Sequence, residues 1–285
     1  MADEPNDESV AGGGFAAGTL APAPAGLPRD ARGFPVAAIG RGVRAACHIA
    51  LDIFFPPSCL ACNKATATTD CLCPDCWSRV GFIARPYCER LGTPFSYDLG
   101  IAGLVSPEAM ANPPVYGRAR AVAKFEDGPV RQLVHRLKYS DRTALAKPMG
   151  RWMAHAGREL LMGADALVAV PLHRRRLAWR QFNQANALAQ AISRCCGVRT
   201  EDFALERVKP TSPQVGLSKN QRAENVQGAF RVPDMARPAV EGRAIVLVDD
   251  VLTSGATINA AARALLRGGA RSVDVLVFAR VVTNL

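Results

Sequence analysis

The stretch IVLVDDVLTSGATI, residues 245–258, decides the fold. Residues 245–248 form a continuous, β-branched-rich run, which reads as a parallel strand buried on both faces. Two adjacent carboxylates, Asp249 and Asp250, end the run, and Thr253, Ser254, Gly255, Ala256 and Thr257 follow. Ile258, Ala261, Ala262 and Leu265 then fall at spacings of three and four. They predict an amphipathic helix over residues 257–267, closed by Gly268 and Gly269. Strand, loop and helix in that order place the loop at the carboxyl end of a parallel strand, where open α/β sheets bind their ligands. Amides at a helix N-terminus, small side chains and three hydroxyls suit a phosphate. The acid pair beside them suits vicinal sugar hydroxyls, or Mg²⁺ held through water. A phosphorylated ribose satisfies both halves.

Two rival readings fail on the same residues. A Walker B strand needs a G-x-x-x-x-G-K-[ST] loop, and the chain contains no Gly-Lys dipeptide. Ordinary helix capping needs one hydroxyl, not an acid pair and five small residues.

Working outward, residues 119–125 read as a strand, and residues 129–138 as a helix with Val130, Leu133, Val134 and Leu137 on one face. A second helix is expected over 144–161, with Met149, Trp152, Met153 and Leu160 inward and a kink at Pro148. Then come a buried strand over 166–172, a helix over 182–195, an edge strand near 203–208 and a last buried strand over 273–281. Strands alternating with helices imply a mostly parallel α/β sheet. His173, Arg174, Arg175 and Arg176 follow a strand directly, as a solvated loop or as part of an anion site. Residues 214–230, polar and without strong periodicity, read as a disordered segment or a functional lid.

The N-terminal half carries a second signal. Cys59 and Cys62 form one C-x-x-C pair, Cys73 and Cys76 another, and ten residues separate them. That spacing describes a tetrahedral four-cysteine zinc site. No apolar region follows a basic one within residues 1–40, so a cytoplasmic location with reduced thiols is expected, favouring metal over disulfides. Cys71 and Cys88 are spare thiols: either could replace a ligand, or Cys88 could belong to an incomplete second site. Cys195 and Cys196 are expected to be buried as small hydrophobes.

Residues 246–257 resemble the ribose-phosphate signature of type I phosphoribosyltransferases, which bind phosphoribosyl pyrophosphate (PRPP). FFPPSCLAC, LCPDCW, VHRLKYSDR, VPLHRRRLAWRQFNQ and QVGLSKNQRAENVQGAF extend the likeness over residues 54–281, to the ComF/GntX (competence protein F-like) family. The resemblance implies an α/β fold, a mostly parallel sheet of the type I phosphoribosyltransferase fold, preceded by a small four-cysteine zinc-ribbon module. It implies that Asp249 and Asp250 hold the ribose 2′- and 3′-hydroxyls and that Thr253, Ser254, Gly255, Ala256 and Thr257 hold the 5′-phosphate. His173, Arg174 and Arg175 would belong to the pyrophosphate loop, and Arg222 and Gln214 to a lid closing over PRPP. The implied cofactors are structural Zn²⁺ and Mg²⁺ carried with PRPP. The chain departs from the family twice. YCERLG has Leu91 where a second C-x-x-C would have a cysteine, and Gln181 replaces the glycine of an Arg-Gly-Phe-Asn-Gln motif.

The expected organisation is a disordered Ala/Gly/Pro-rich tail over 1–40, a zinc-ribbon module with a short N-terminal helix over 41–100, and a phosphoribosyltransferase domain over 115–285. No apolar run is long enough to span a membrane. A net charge of +10 fits polyphosphate ligands and nucleic acid alike, with the excess spread over Arg118, Arg120, Arg131, Arg136 and residues 174–176. Two functions follow from the resemblance: transfer of a phosphoribosyl group to an unidentified acceptor, or a non-catalytic role. The second would be a PRPP sensor, or an accessory factor in DNA uptake with single-stranded DNA and helicase-type partners.

Overall fold

Alternation along one central strand organises the molecule. The computed structural model describes residues 56–98, 100–101, 103–139, 143–173, 182–209, 221 and 226–282. The sheet contains β1 (Ala119–Lys124), β2 (Ala166–Ala169), β5 (Ala244–Leu252) and β6 (Ser272–Arg280), in the order β1-β6-β5-β2, with every pairing parallel. In β5, Val246 and Val248 face one side and Ile245 and Leu247 the other, and all four are buried. Both faces therefore need helices, as a two-sided apolar strand demands.

On the Val246 side pack α3 (Pro129–Tyr139), α4 (Ala146–Ala156) and α6 (Gln184–Cys196), through Leu133, Leu137, Met149, Met153, Leu188 and Ile192. On the Ile245 side packs α7 (Ala256–Arg267), through Ile258, Ala261 and Leu265. Each of the larger side chains contributes about 1.5–3 kcal/mol when removed from water.

The expected helix over 144–161 is divided. A 3₁₀ turn (Thr143–Leu145) leads into α4, and α5 (Arg158–Leu161) follows. Pro148 lies in the first turn of α4, where a missing amide costs nothing, so it makes no kink. The break falls at Gly157, where a Cβ would lie 2.6 Å from the Leu276 side chain of the sheet.

The segment near 203–208 is not an edge of the main sheet. β3 (Glu206–Arg207) pairs antiparallel with β4 (Phe230–Arg231) in a separate ribbon. Cys195 and Cys196 are exposed at the end of α6, because the apolar face of that helix runs through Leu188 and Ile192.

Two short knuckles precede the sheet. One contains α1 (Pro74–Ser78) and joins the Val246-side core through Cys59, Ala61, Leu72, Cys73 and Cys76. Trp77, on α1, meets Trp152 edge-on at 6.0 Å, and Trp152 stacks on Phe278 at 6.1 Å. The other contains α2 (Pro107–Ala111). Before it, residues 81–83 run antiparallel beside β1, with the Ile83 amide donating to the Val122 carbonyl at 2.9 Å, so the β1 edge is covered. Arg120, expected on the basic surface, is only 2% exposed. Its guanidinium pairs with Glu89 and Glu159 and lies 4.5 Å above the Tyr87 ring. Arg118, still partly exposed, pairs with Asp274 at 2.8 Å, which offsets its charge.

Candidate functional site

Strand β5 does not stop at the acids. It continues through Asp249 and Asp250 to Leu252, with Asp249 paired in register to Val277. Successive side chains on a strand point to opposite faces. Asp250 thus shares the Val246 side with α3, whose Lys138 reaches it at 2.9 Å. Asp249 shares the Ile245 side with α7 and the hydroxyl loop. One Asp249 oxygen accepts the Asp250 amide at 2.8 Å. Burial first, and then the Asp250 charge, push the Asp249 carboxyl far above the usual carboxylate range, to about 8, against the partial relief of Lys138. A carboxyl that keeps its proton near neutral pH can donate a hydrogen bond as well as accept one.

Thr253 and Ser254 do not cap the helix that follows. Helix α7 starts after Gly255 with no side-chain cap. Thr253 is exposed, and the Ser254 Oγ is buried with no hydrogen-bond partner among the described residues. Gly255 holds φ at 75°, a left-handed turn that glycine adopts without cost. Its carbonyl accepts the Asn259 amide at 2.8 Å, and the Asn259 side chain in turn accepts the Val115 amide at 2.8 Å. An open helix N-terminus, a left-handed glycine and an unsatisfied buried hydroxyl make a cradle suited to a phosphate.

Thr253, Ser254, Gly255 and Ala256 also line one side of a cavity of about 1750 Å³. The second knuckle lines it too, through Leu91, Phe95, Val105 and Ser106, and Arg263 and Arg267 line it from α7. The acid pair is not among its lining residues; it stands on the strand at the opposite end of the loop.

His173 lies just beyond β2, whose end is registered against Val248 of β5. The loop it opens is pinned at its base. Asn183 caps α6 by accepting the Ala185 amide at 3.0 Å and donates to the Val170 carbonyl at 3.1 Å. The asparagine of the RQFNQ stretch is thereby explained. Arg174, Arg175, Gln181, Gln214 and Arg222 lie outside the described residues. Lys138 and Asn259 were not expected from the sequence. Lys138 falls inside the quoted VHRLKYSDR, but nothing in a helical pattern says that its end meets a strand far along the chain.

The four cysteines Cys59, Cys62, Cys73 and Cys76 converge. Their sulfurs all lie within 4.8 Å of one another, with Cys62 and Cys73 at 3.6 Å. Tetrahedral zinc with bonds of about 2.3 Å spaces its sulfurs by roughly 3.8 Å, so the set fits. Burial and the three neighbouring thiols push Cys76 up to about 12. Burial acts to raise Cys59 too, but the amides of Cys62, Cys73 and Ala61 outweigh it and bring that thiol down to about 6. A divalent cation would resolve this crowding by taking all four as thiolates. Cys71 turns away to the Thr68 carbonyl at 3.1 Å and is not part of the cluster.

Comparison with known proteins agrees with this geometry. A double zinc ribbon domain matches residues 50–107, and a phosphoribosyl transferase domain matches residues 183–282. The chain is 32% identical to the DNA utilization protein YhgH of Escherichia coli K12 over 241 residues, 83% of this chain and 96% of that one. It is 27% identical to Competence protein F of Haemophilus influenzae over 233 residues, 80% of this chain and 98% of that one. Competence protein ComFC of Bacillus subtilis matches over a shorter span, 35% identical over 109 residues, 38% of this chain and 41% of that one. Among the described residues no helix is long and apolar enough to cross a membrane.

Proposed function

Because the chain belongs to the ComF family, with a zinc-ribbon region ahead of a phosphoribosyltransferase domain, we propose that it binds PRPP with Mg²⁺ and transfers the phosphoribosyl group. The observation that carries the reading is the combination at the end of β5: an acid pair with Asp249 half-buried and Asp250 buried, then a loop whose Ser254 hydroxyl has no partner among the described residues and whose helix has no side-chain cap. Asp249 and Asp250 hold the ribose hydroxyls, and a protonated Asp249 can donate to one of them. Residues 253–257 hold the 5′-phosphate. His173, Arg174 and Arg175 take the pyrophosphate, and Arg222 closes the lid. Mg²⁺ carried with PRPP would supply positive charge to the pyrophosphate; Asp249 and Asp250 hold the ribose while pyrophosphate leaves C1′ and the acceptor bonds there from the opposite face, losing its proton to solvent or to the departing pyrophosphate. The reduced thiols and the zinc ligand set are consistent with a cytoplasmic location.

Pyrophosphate release from labelled PRPP, measured with a panel of nucleobases and a no-acceptor control, tests the transfer. Thermal melting with Mg²⁺–PRPP tests the binding, which should stabilise the wild type by mass action and leave an Asp249→Asn, Asp250→Asn double variant unmoved. Equal shifts in both proteins place the ligand elsewhere. Stabilisation without turnover in any arm leaves a PRPP sensor.

A second ligand is favoured by the names of the relatives, which refer to competence and DNA utilization, and by the net charge of +10. Single-stranded DNA would then contact the cationic segment after β2, with a helicase-type protein as partner. Phosphate contacts release counterions, so affinity should fall steeply with salt. If DNA and PRPP share the segment, saturating Mg²⁺–PRPP weakens binding of a labelled oligonucleotide at matched ionic strength. An unchanged dissociation constant refutes the shared segment.

A further inference from the structure

The two knuckles are one structure built twice. In the first, the Cys59 amide donates to the Lys64 carbonyl, the Asn63 amide to the Cys59 carbonyl, and Ser58 bridges Ala65. In the second, the Cys88 amide donates to the Thr93 carbonyl, the Gly92 amide to the Cys88 carbonyl, and Tyr87 bridges Pro94. The turn residues match as well, Asn63 at φ 62° and Gly92 at φ 67°. The returning strands also agree, since the Leu60 amide donates to the Cys71 carbonyl and the Glu89 amide to the Leu104 carbonyl.

The short helices complete the correspondence. Cys73 caps α1 at φ −68°, ψ 160°, and Ser106 caps α2 at φ −69°, ψ 153°, each followed by proline. The Cys73 amide donates to the Cys59 sulfur at 3.2 Å, and the Ser106 amide to the Cys88 sulfur at 3.2 Å. The only buried residue of α1 is Cys76, and the only buried residue of α2 is Ala109. The four zinc-ligand positions of the first knuckle therefore correspond to Cys88, Leu91, Ser106 and Ala109 in the second.

From this correspondence we infer that the second ribbon holds no zinc and that an apolar plug occupies the place of the metal. Cys88, Leu91 and Ala109 form a separate buried cluster, backed by Phe95 and Val105. One thiol, one aliphatic side chain, one hydroxyl and one methyl cannot supply a zinc site, which takes three or four protein ligands. The Cys88 sulfur accepts two amides, from Leu91 at 3.4 Å and Ser106 at 3.2 Å, so its polar demand is met without a metal. What metal would have done for docking is done by arginines. Arg120 pairs with Glu89, Arg280 donates to the Leu91 carbonyl, and Arg90 donates to the Pro114 and Tyr116 carbonyls at 3.1 and 3.0 Å. This metal-free half is also the one whose Leu91, Phe95, Val105 and Ser106 line the same cavity as the hydroxyl loop.

Elemental analysis of the full-length chain, after dialysis against a weak chelator, tests the inference. The expected result is one zinc per chain in the wild type, one in Cys88→Ala and none in Cys76→Ser. Two tightly held zinc ions in the wild type, or a loss of zinc in Cys88→Ala, would overturn it. A Leu91→Cys, Ser106→Cys, Ala109→Cys triple variant should raise the count from one to two and double the intensity of the tetrahedral cobalt–thiolate bands after Co²⁺ exchange. A folded triple variant that stays at one zinc, or a chain that cannot be recovered folded with zinc present, overturns the assignment of the four positions.

Discussion

Consider Asp249→Asn in the ligand-free protein. The substitution keeps an oxygen able to accept the Asp250 amide, which Asp249 accepts at 2.8 Å, and removes a group that burial and the adjacent Asp250 charge have pushed up to about 8. The sign follows from proton binding. An acid with a raised value holds its proton in the folded chain while the unfolded chain has lost it. Between about pH 4, the ordinary carboxylate value, and about 8, the folded state carries the extra proton. Wild-type stability therefore falls as pH rises through that window and levels off above it. Asparagine does not titrate, so the variant gains on the wild type with rising pH. Each tenfold difference in proton affinity between the folded and unfolded chains is worth about 1.4 kcal/mol. Solvent reaching this half-buried group, and the Lys138 ammonium near Asp250, screen much of it, leaving an advantage of about 1–3 kcal/mol. In a chain of this size that is roughly 2–10 °C in melting temperature. Melting followed by circular dichroism from about pH 5 to about pH 9 reads the difference directly. A variant that melts at or below the wild type near pH 9, or a difference that does not change with pH, would refute the reasoning. The same variant should lose the stabilisation that Mg²⁺–PRPP confers, so the site would trade stability for binding.

Gly255→Val should cost about 1–2 kcal/mol in a denaturant midpoint, because φ at 75° is strained for a β-branched residue, and should abolish the PRPP melting shift. A neutral effect would mean that the loop relaxes freely. Arg120→Met leaves Glu89 and Glu159 without the buried cation between them. Because those carboxylates are 20% and 34% exposed, the loss is set at about 2–4 kcal/mol, below the range for a fully buried pair, with new protease cleavage near residues 79–98. A cost below about 1 kcal/mol would show that the plug alone docks the second ribbon.

The central strand and its loop could be read from the sequence because their signals are local: continuous apolar residues, two acids and small residues at adjacent positions. The four zinc cysteines were equally plain, since C-x-x-C spacing is set by one tight turn. What escaped was non-local. Asp250 meets Lys138 only because strand alternation sends it toward α3, and that requires knowing which helices cover which face. Arg120 read as surface charge, and its burial depends on two carboxylates distant in sequence. The second ribbon was legible only in part, through Cys88 and the Leu91 that stands where a second C-x-x-C would have a cysteine. Cysteine counting detects ligands, and three of four positions here are Leu91, Ser106 and Ala109, which have no metal signature. Yet the features that survive there, a proline after the cap, a left-handed glycine at the turn and an amide on the Cys88 sulfur, are backbone features, unaffected by which side chains fill the centre. Such a backbone holds its shape when packing and arginine contacts supply the cross-links a metal would, and the ribbon that does so here is the one whose residues line the cavity.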